Sequence, residues 1–357
     1  GNYYVNGTYT KNYLRRFTSN FDQVTIIARC SKASNEVDIS RLRESGGERV
    51  SFCKLDDFYG IRAYLKKRRK IKREILNILR DVDAIFVRMP CILTSITFKC
   101  AKKLCIPILL DVGADPDSIY RSTRPTLFEI CLSKYMKEVC RHQCLAANGV
   151  SYVTSSVLQN KYPCKALLHG ETKEFFSASI SNADIDSFFY CGPRTYEKKT
   201  PIRLLHISNN ITKNSGKGHF EALQIMKKLG EFGVDANLTF VGGGDDGIQF
   251  FKNLAEKLQL SEKVSFTGRI GDREEYLDVI KDHDIFVFPS HSEGLPRVLL
   301  EVMATGMLCV ASNVDGIPEI LGSDDIFDYR DIEGMSNRIL ELSNNTDLEK
   351  TLSRENN

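Results

Sequence analysis

"IFVFPSHSEGLPRVLLEVMATG", residues 285–306, runs from an apolar stretch through a loop into a helix. Ile285-Phe286-Val287-Phe288 is short, unbroken and apolar, the signature of a strand covered on both faces in a parallel sheet. Ser292-Glu293-Gly294-Leu295-Pro296 reads as the turn into the helix, with Pro296 in the first turn, where its missing N–H costs nothing. Leu295, Val298, Leu299, Val302 and Met303 then mark the helix's buried stripe.

The same rhythm extends outward. In the first half, short β-branched runs at 24–28, 50–55, 84–88, 107–112, 149–154 and 166–169 alternate with helix-length stretches such as 61–79 and 127–146. Around 177–200 the rhythm gives way to Ser, Asn, Asp, Gly and Pro, and it restarts with strands at 202–208, 238–241, 264–267, 285–289 and 308–311. The pattern predicts an α/β protein of two Rossmann-like, doubly wound parallel-sheet domains facing a cleft: 1–180, a linker at 181–200, and 201–357. A length of 357 residues with 42% hydrophobic content suits two cores.

Charge excludes some partners. A net charge of +3 on 27% charged residues gives no footprint for nucleic acid. Eleven cysteines, an odd number without C-x-x-C pairs, fit a reducing compartment, so a cytoplasmic location is expected. No apolar run reaches the roughly 18 residues of a spanning helix.

Two short patterns are set aside. Gly242-Gly243-Gly244-Asp245-Asp246-Gly247 fits G-x-G-x-x-G, but it follows the second strand of its domain rather than the first. Cys140-Arg141-His142-Gln143-Cys144 holds three metal-ligand types, yet residues two apart on a helix point to different sides, so buried cysteines beside a surface histidine are expected.

The stretch at 285–306 carries more. A helix N-terminus offers unpaired N–H groups and a positive dipole end that suit a diphosphate, and Gly294 lets that backbone approach a ligand. Glu301, roughly 7 Å further along the helix at ~1.5 Å per residue, is suited to the two hydroxyls of a ribose. Glu293 then faces the other end of the same ligand. Two glutamates alone would read as a cap and a solvated helix residue. In line around a phosphate site they describe a nucleotide sugar, with the hexose at Glu293.

Here the sequence resembles the family-four retaining glycosyltransferases, whose E-x7-E motif is matched by Glu293 and Glu301. The resemblance continues through "MATGMLCVASNVDGIPEIL", with a G-x-x-E-[IV] turn at 316–320, and through "LTFVGGGDD" and "VSFTGRI" upstream. It implies a two-domain GT-B fold and transfer of a sugar with retention, with no metal or other cofactor beyond the nucleotide-sugar donor. It also implies donor contacts from Gly294, Leu295, Pro296, Arg297 and Val298, from Gly242, and from Gly268, Arg269 and Ile270 near the base, where backbone contacts leave uracil and guanine hard to tell apart. A UDP-sugar is the favoured donor. The family's donor-phosphate arginine and lysine follow the first strand of this domain. Here Lys217-Gly218 supplies the lysine, while Asn209 or Asn210 stands in the arginine's place, so either an asparagine donates a neutral bond or Lys213 or Arg269 restores the charge.

The N-terminal half departs further from the family. Its usual histidine is replaced in "ILLDVGADPDSIY", where Asp111 or Asp115 is a candidate to orient an acceptor hydroxyl, and "LLHGETKEF" offers His169 for sugar contact. The resemblance implies a glycan or lipid-linked glycan acceptor in cell-surface polysaccharide synthesis. "YLKKRRKIKREILNIL", residues 64–79, crowds Lys66, Lys67, Arg68, Arg69, Lys70, Lys72 and Arg73 onto one helix, with Ile61, Leu65, Ile71, Ile75, Ile78 and Leu79 on its apolar side. That is a solvated basic face or a contact with an anionic membrane surface, the latter placing the protein on the inner face of the membrane. Two other readings share the architecture: a non-hydrolysing sugar-nucleotide epimerase, and a catalytically silent partner subunit. Both ends read as trimmed, since "GNYYVNGTYT" starts almost at the loop after a first strand.

Overall fold

The protein is described by a computed structural model covering residues 3–5, 9–30, 42–56, 58, 60–120, 125–180, 200–213 and 216–344. In the N-terminal half, β1 (Tyr3–Val5) and β3 (Arg43–Ser45) form an antiparallel pair, and β2 (Val24–Arg29) and β4 (Val50–Leu55) a parallel one. A four-stranded parallel sheet follows, in the order β5 (Ile85–Met89), β6 (Ile108–Val112), β7 (Gly149–Tyr152), β8 (Phe176–Ser179). Its helices are α1 (Lys11–Thr18), α2 (Gly60–Ile78), α3 (Ile92–Lys103), α4 (Pro116–Tyr120), α5 (Leu127–Ala146), α6 (Val157–Lys161) and α7 (Lys165–His169).

The core joins Ile108, Leu110 and Val112 of β6 to Ile71 and Ile75 of α2, and to Cys140 and Cys144 of α5. Those two cysteines are fully buried while His142 between them is exposed, as their spacing requires. A reciprocal capping box starts α5: Glu129 N donates to Thr126 Oγ1 at 3.3 Å, and Thr126 N donates to Glu129 Oε2 at 2.7 Å.

Three expectations are corrected here. Residues 166–169 are helical, in α7, rather than a strand, because Ala-Leu-Leu lacks the β-branching that separates a short strand from a helical turn. The edge strand is β8, whose Phe-Ser-Ala-Ser lies mostly in the 177–200 stretch where the strand rhythm was read as giving way. Leu65 is 51% exposed, since six residues before Ile71 place it about 120° round the helix from the buried stripe. Residues 181–199 of the expected linker lie outside the described residues, as does the side chain of Ile61.

The C-terminal half is one parallel sheet of β9 (Ile202–Asn210), β10 (Ala236–Gly243), β11 (Val264–Gly268), β12 (Ile285–Phe288), β13 (Leu308–Ser312) and β14 (Ile326–Phe327). Around it lie α8 (His219–Glu231), α9 (Asp245–Lys257), α10 (Arg273–Lys281), α11 (Arg297–Ala304) and α12 (Ile332–Asn344). The strand order is β11-β10-β9-β12-β13-β14, so the chain winds outward from β9 and then returns to β9's other side with β12. At such a reversal the loops leaving neighbouring strands diverge to opposite faces and open a crevice. The loop after β9 carries Lys217 and the loop after β12 carries Glu293, so the topology delivers both to one place.

The glycines of 242–247 serve packing. A Cβ on Gly242 would collide with the Ser208 carbonyl and one on Gly247 with that of Ile211, while Ile211 N donates to Gly243 O at 2.6 Å. The β10–α9 turn thus lies against the chain leaving β9, which accounts for the G-x-G-x-x-G spacing without a dinucleotide.

Candidate active site

Lys217 Nζ lies 2.7 Å from Glu293 Oε1, which also accepts from Ser290 Oγ at 2.7 Å. Gly216 O accepts from His291 N at 2.8 Å and Ser290 Oγ at 3.1 Å, fastening the loop after β9 to the loop after β12. Gly218, at φ +79°, has no room for a side chain because a Cβ would meet the Pro289 carbonyl. Glycine directly after Lys217 is what lets that lysine approach Glu293.

Pro296 is the N-cap of α11, one residue ahead of the expected first turn, and Arg297 opens the helix half-buried. Leu299 and Val302 are fully buried and Val298 and Met303 pack at the edge of the same core. Leu295 departs from that stripe and packs instead against the N-terminal core. Glu301, fifth in α11, accepts from Tyr276 Oη of α10 at 2.9 Å. Burial, and next the Glu301 carboxylate, hold the Tyr276 phenol well above its ordinary pKa, so it stays a donor. A carboxylate has about four lone-pair directions, so this bond orients Glu301 without exhausting it.

At the end of β9, Arg269 Nη2 donates to Asn209 O at 3.1 Å and to Asn210 Oδ1 at 2.9 Å. Its guanidinium therefore stands beside the position that lacks an arginine in the sequence. Lys213 takes another course, with Nζ 5.1 Å from the centroid of the Phe250 ring on α9. Gly268 turns at φ +75° with nothing near its Cβ direction, and Ile270 packs on the core beneath. Below the crevice sit two buried histidines: His206 Nδ1 is 2.8 Å from Val287 O, and His219 Nε2 is 2.9 Å from Ser208 Oγ. Burial lowers both pKa values, that of His206 to about 4, so both rings are neutral at pH 7.

The N-terminal candidates are occupied structurally. Asp111 is buried, 2.6 Å from Arg88 Nη1 and 3.0 Å from Ser151 Oγ; burial raises its pKa against the pull of Arg88. Asp115 caps α4 through Asp117 N at 2.9 Å and accepts from Tyr162 Oη at 3.1 Å. His169 is exposed at the end of α7. Among the described residues neither Asp111 nor His169 hydrogen-bonds to the 290–296 loop. Gly113, two residues past Asp111, does come against it: a Cβ on Gly294 would collide with the Gly113 carbonyl.

The sequence reading missed the residues that close the cleft. Glu319 accepts from Ser155 N at 2.5 Å, Ser156 N at 2.8 Å, Ser156 Oγ at 2.9 Å and Val157 N at 2.7 Å. Burial works against that carboxylate, but the backbone N–H groups outweigh it and lower its pKa. Gly316 N donates to Gly294 O at 3.0 Å. Only the G-x-x-E spacing hinted at Glu319. Among the described residues no group of three His, Cys, Asp or Glu side chains is placed to hold a metal ion, and no helix is long and apolar enough to cross a membrane.

Residues 195–357 match the family model for glycosyl transferases group 1. The chain is 26% identical to Protein CapJ of Staphylococcus aureus over 99% of its own length and 85% of that protein. It is 22% identical to the UDP-Gal:alpha-D-GlcNAc-diphosphoundecaprenol alpha-1,3-galactosyltransferase of Escherichia coli, over 67% of this chain and 56% of that one. The crystal structure of HepE of Anabaena in complex with UDP superposes with a TM-score of 0.64 at 12% identity, over 94% of this chain and 93% of that one. From β9 to α12 the chain matches the group 1 glycosyl transferases, and over nearly its entire length its fold is the two-domain GT-B fold.

Proposed function

We propose that this chain is a retaining hexosyltransferase that uses a nucleoside diphosphate sugar, UDP-sugar by preference, and transfers to a glycan or lipid-linked glycan acceptor in cell-surface polysaccharide synthesis. Residues 1–180 bind the acceptor and 201–357 the donor. The observation that carries the reading is the Lys217–Glu293 pair at the strand-order reversal, with Glu301 held by Tyr276 one helical step away. The ribose diol binds Glu301, the diphosphate meets Lys217, Arg269 and the start of α11, and the hexose lies against Glu293. The bond from the anomeric carbon to the diphosphate breaks, and its electron pair leaves on the diphosphate, whose charge Lys217 stabilises. The acceptor oxygen bonds on the same face and passes its proton to the departing diphosphate. Hydrolysis by paired acids is disfavoured, because Glu293 already carries an ion pair and both acids lie along one loop and helix. The donor preference draws on HepE's UDP and on the UDP-Gal of the E. coli enzyme, and the acceptor class on that enzyme's diphosphoundecaprenol substrate.

A lipid-linked acceptor calls for a cytoplasmic enzyme at the inner membrane face. On α2 the residues Lys66, Arg69 and Arg73 point away from the buried stripe, whereas Lys70 is tied to Asp56 at 2.6 Å. α2 and α5 share one core through Ile71, Ile75, Cys140 and Cys144. Along α4 and α5, Ile119, Leu127, Phe128 and Tyr135 expose large apolar side chains. Basic and apolar groups side by side suit an anionic bilayer.

The test is native mass spectrometry against UDP-, GDP- and ADP-sugars, then reaction with a polyprenyl-diphosphate-linked glycan and NMR of the new linkage. A UDP-sugar adduct and a product one hexose heavier, with the donor's anomeric configuration, is expected. Interconversion of UDP-sugars without acceptor would replace the reading by epimerisation. A folded protein that binds no nucleotide sugar would replace it by a silent partner subunit.

A further inference from the structure

We propose that Asp315 is a positioning residue that couples closure of the two domains to the placement of Glu293. The inference rests on the transferase reading only for its kinetic arm.

Asp315 sits at φ +45°, a left-handed conformation that a residue other than glycine adopts at a cost. The cost is offset by what its side chain reaches. Oδ2 accepts from Glu293 N at 2.9 Å and from Ser292 Oγ at 2.8 Å, so one carboxylate oxygen holds the backbone and the neighbouring side chain of the Glu293 loop. Oδ1 accepts from Lys161 Nζ at 3.1 Å, on the N-terminal domain. Lys161 Nζ is also 3.2 Å from Asp115 Oδ2, a nearly buried carboxylate that caps α4 and is held by the Tyr162 hydroxyl. Burial works against the charge on Lys161, and Asp115 and Asp315 together outweigh it and raise its pKa.

Geometry makes this a relay rather than a stray surface pair. Lys161 is the last residue of α6, and Glu319 grips the first turn of the same five-residue helix through the N–H groups named above. Asp315 and Glu319 therefore straddle α6 from one turn of the C-terminal domain, while Gly316 N bonds to Gly294 O in that same turn. When the domains part, α6 leaves the turn, Asp315 loses its cation, and the clamp on Glu293 N loosens. Glu293 then holds its place beside Lys217 only when both halves are together, so a donor sugar is gripped for reaction only in the closed cleft.

The substitutions separate the two links. Asp315→Asn keeps an oxygen for Glu293 N and drops the charge facing Lys161; Lys161→Met removes the same link from the other side, far from the sugar. Each is expected to lower kcat on the order of tenfold, with nucleoside diphosphate affinity measured by calorimetry unchanged, as for a misplaced rather than a missing group. The double variant should be no slower than either single one, because they cut one link. Deuterium uptake by the 290–296 backbone should rise in both variants, which reads the clamp without any turnover. A wild type that transfers no sugar, with both variants still showing this rise, would sink the transferase reading and leave the relay standing. Variants with wild-type exchange at 290–296, or with kcat within twofold of wild type despite a lowered melting temperature, would overturn the relay.

Discussion

Replacing Glu301 by Ala separates a ligand contact from a structural one, because the carboxylate does both. As a ribose acceptor it makes charged hydrogen bonds worth about 1.5–3 kcal/mol, so Glu301→Ala should weaken UDP binding roughly 10- to 150-fold. As the partner of Tyr276, buried and 2.9 Å away, it also makes a charged hydrogen bond whose loss costs about 1.5–3 kcal/mol of stability. Tyr276→Phe removes that second debt. The double variant Glu301→Ala/Tyr276→Phe should recover most of the lost melting temperature and none of the lost affinity. Glu293→Ala is the contrasting control: its contacts are to Lys217 and Ser290, so it should keep UDP affinity and lose turnover. Isothermal calorimetry with UDP, beside thermal melts, reads all of these. Recovery of affinity in the double variant would mean that Glu301 acts through the fold alone, and an equal affinity loss in Glu293→Ala would refute the orientation of the donor.

Lys217→Ala should cut turnover on the order of 100-fold, with Lys217→Arg restoring part of it, because its charge meets the leaving diphosphate; a wild-type rate would transfer that role to Arg269. Gly294→Ala forces a methyl against the Gly113 carbonyl across the cleft, so small-angle scattering should report a larger radius of gyration while UDP still binds; an unchanged radius and rate would show that the cleft absorbs it. His206 has a folded pKa of about 4 against 6.5 in the unfolded chain, so its contribution is complete above about pH 6.5 and is lost as pH falls toward 4. Urea titrations should lose about 2 kcal/mol from this residue by pH 5, a loss that His206→Phe abolishes; identical pH profiles for the two proteins would refute the burial argument. Vesicles rich in anionic lipid should co-sediment the wild type at low salt and release it at high salt, whereas Lys66→Gln/Arg69→Gln/Arg73→Gln stays in solution; a wild type that never sediments points to a soluble acceptor.

What could be read from the sequence was local. The β12–α11 unit announces itself because an apolar strand, a glycine loop, a proline and a 3.6-residue stripe fall in order, and α5 has the bounds 127–146 that its apolar spacing predicts. Arg269 was named, beside an asparagine and Lys213, as a way to replace an absent arginine, and the fold sets its guanidinium against Asn210 because β11 ends beside β10, next to β9. Residues 166–169 misled because three apolar residues satisfy a strand and a helical turn equally. Asp315 and Glu319 were beyond reach for another reason. Their partners in the N-terminal half lie 154 and more positions away in the chain, and no periodicity links a carboxylate to a lysine or to backbone N–H groups at that remove. Asp111 shows the converse: a strand end near the cleft was legible, but not that Arg88 and Ser151 hold the aspartate.

The straddled helix also bears on how such enzymes are recombined. Exchanging N-terminal halves between two glycosyltransferases is a natural way to alter the acceptor while keeping the donor. In this chain the seam of such a chimera is chemical as well as sequential, since Glu319 reads the backbone of 155–157 whereas Asp315 requires a lysine at 161. The backbone half of that match transfers to any chain with a helix starting there; the lysine half does not. A graft that carries Lys161 and Asp115 with it inherits a fitted joint, and one that leaves them behind inherits a C-terminal domain whose acidic turn has lost its lysine.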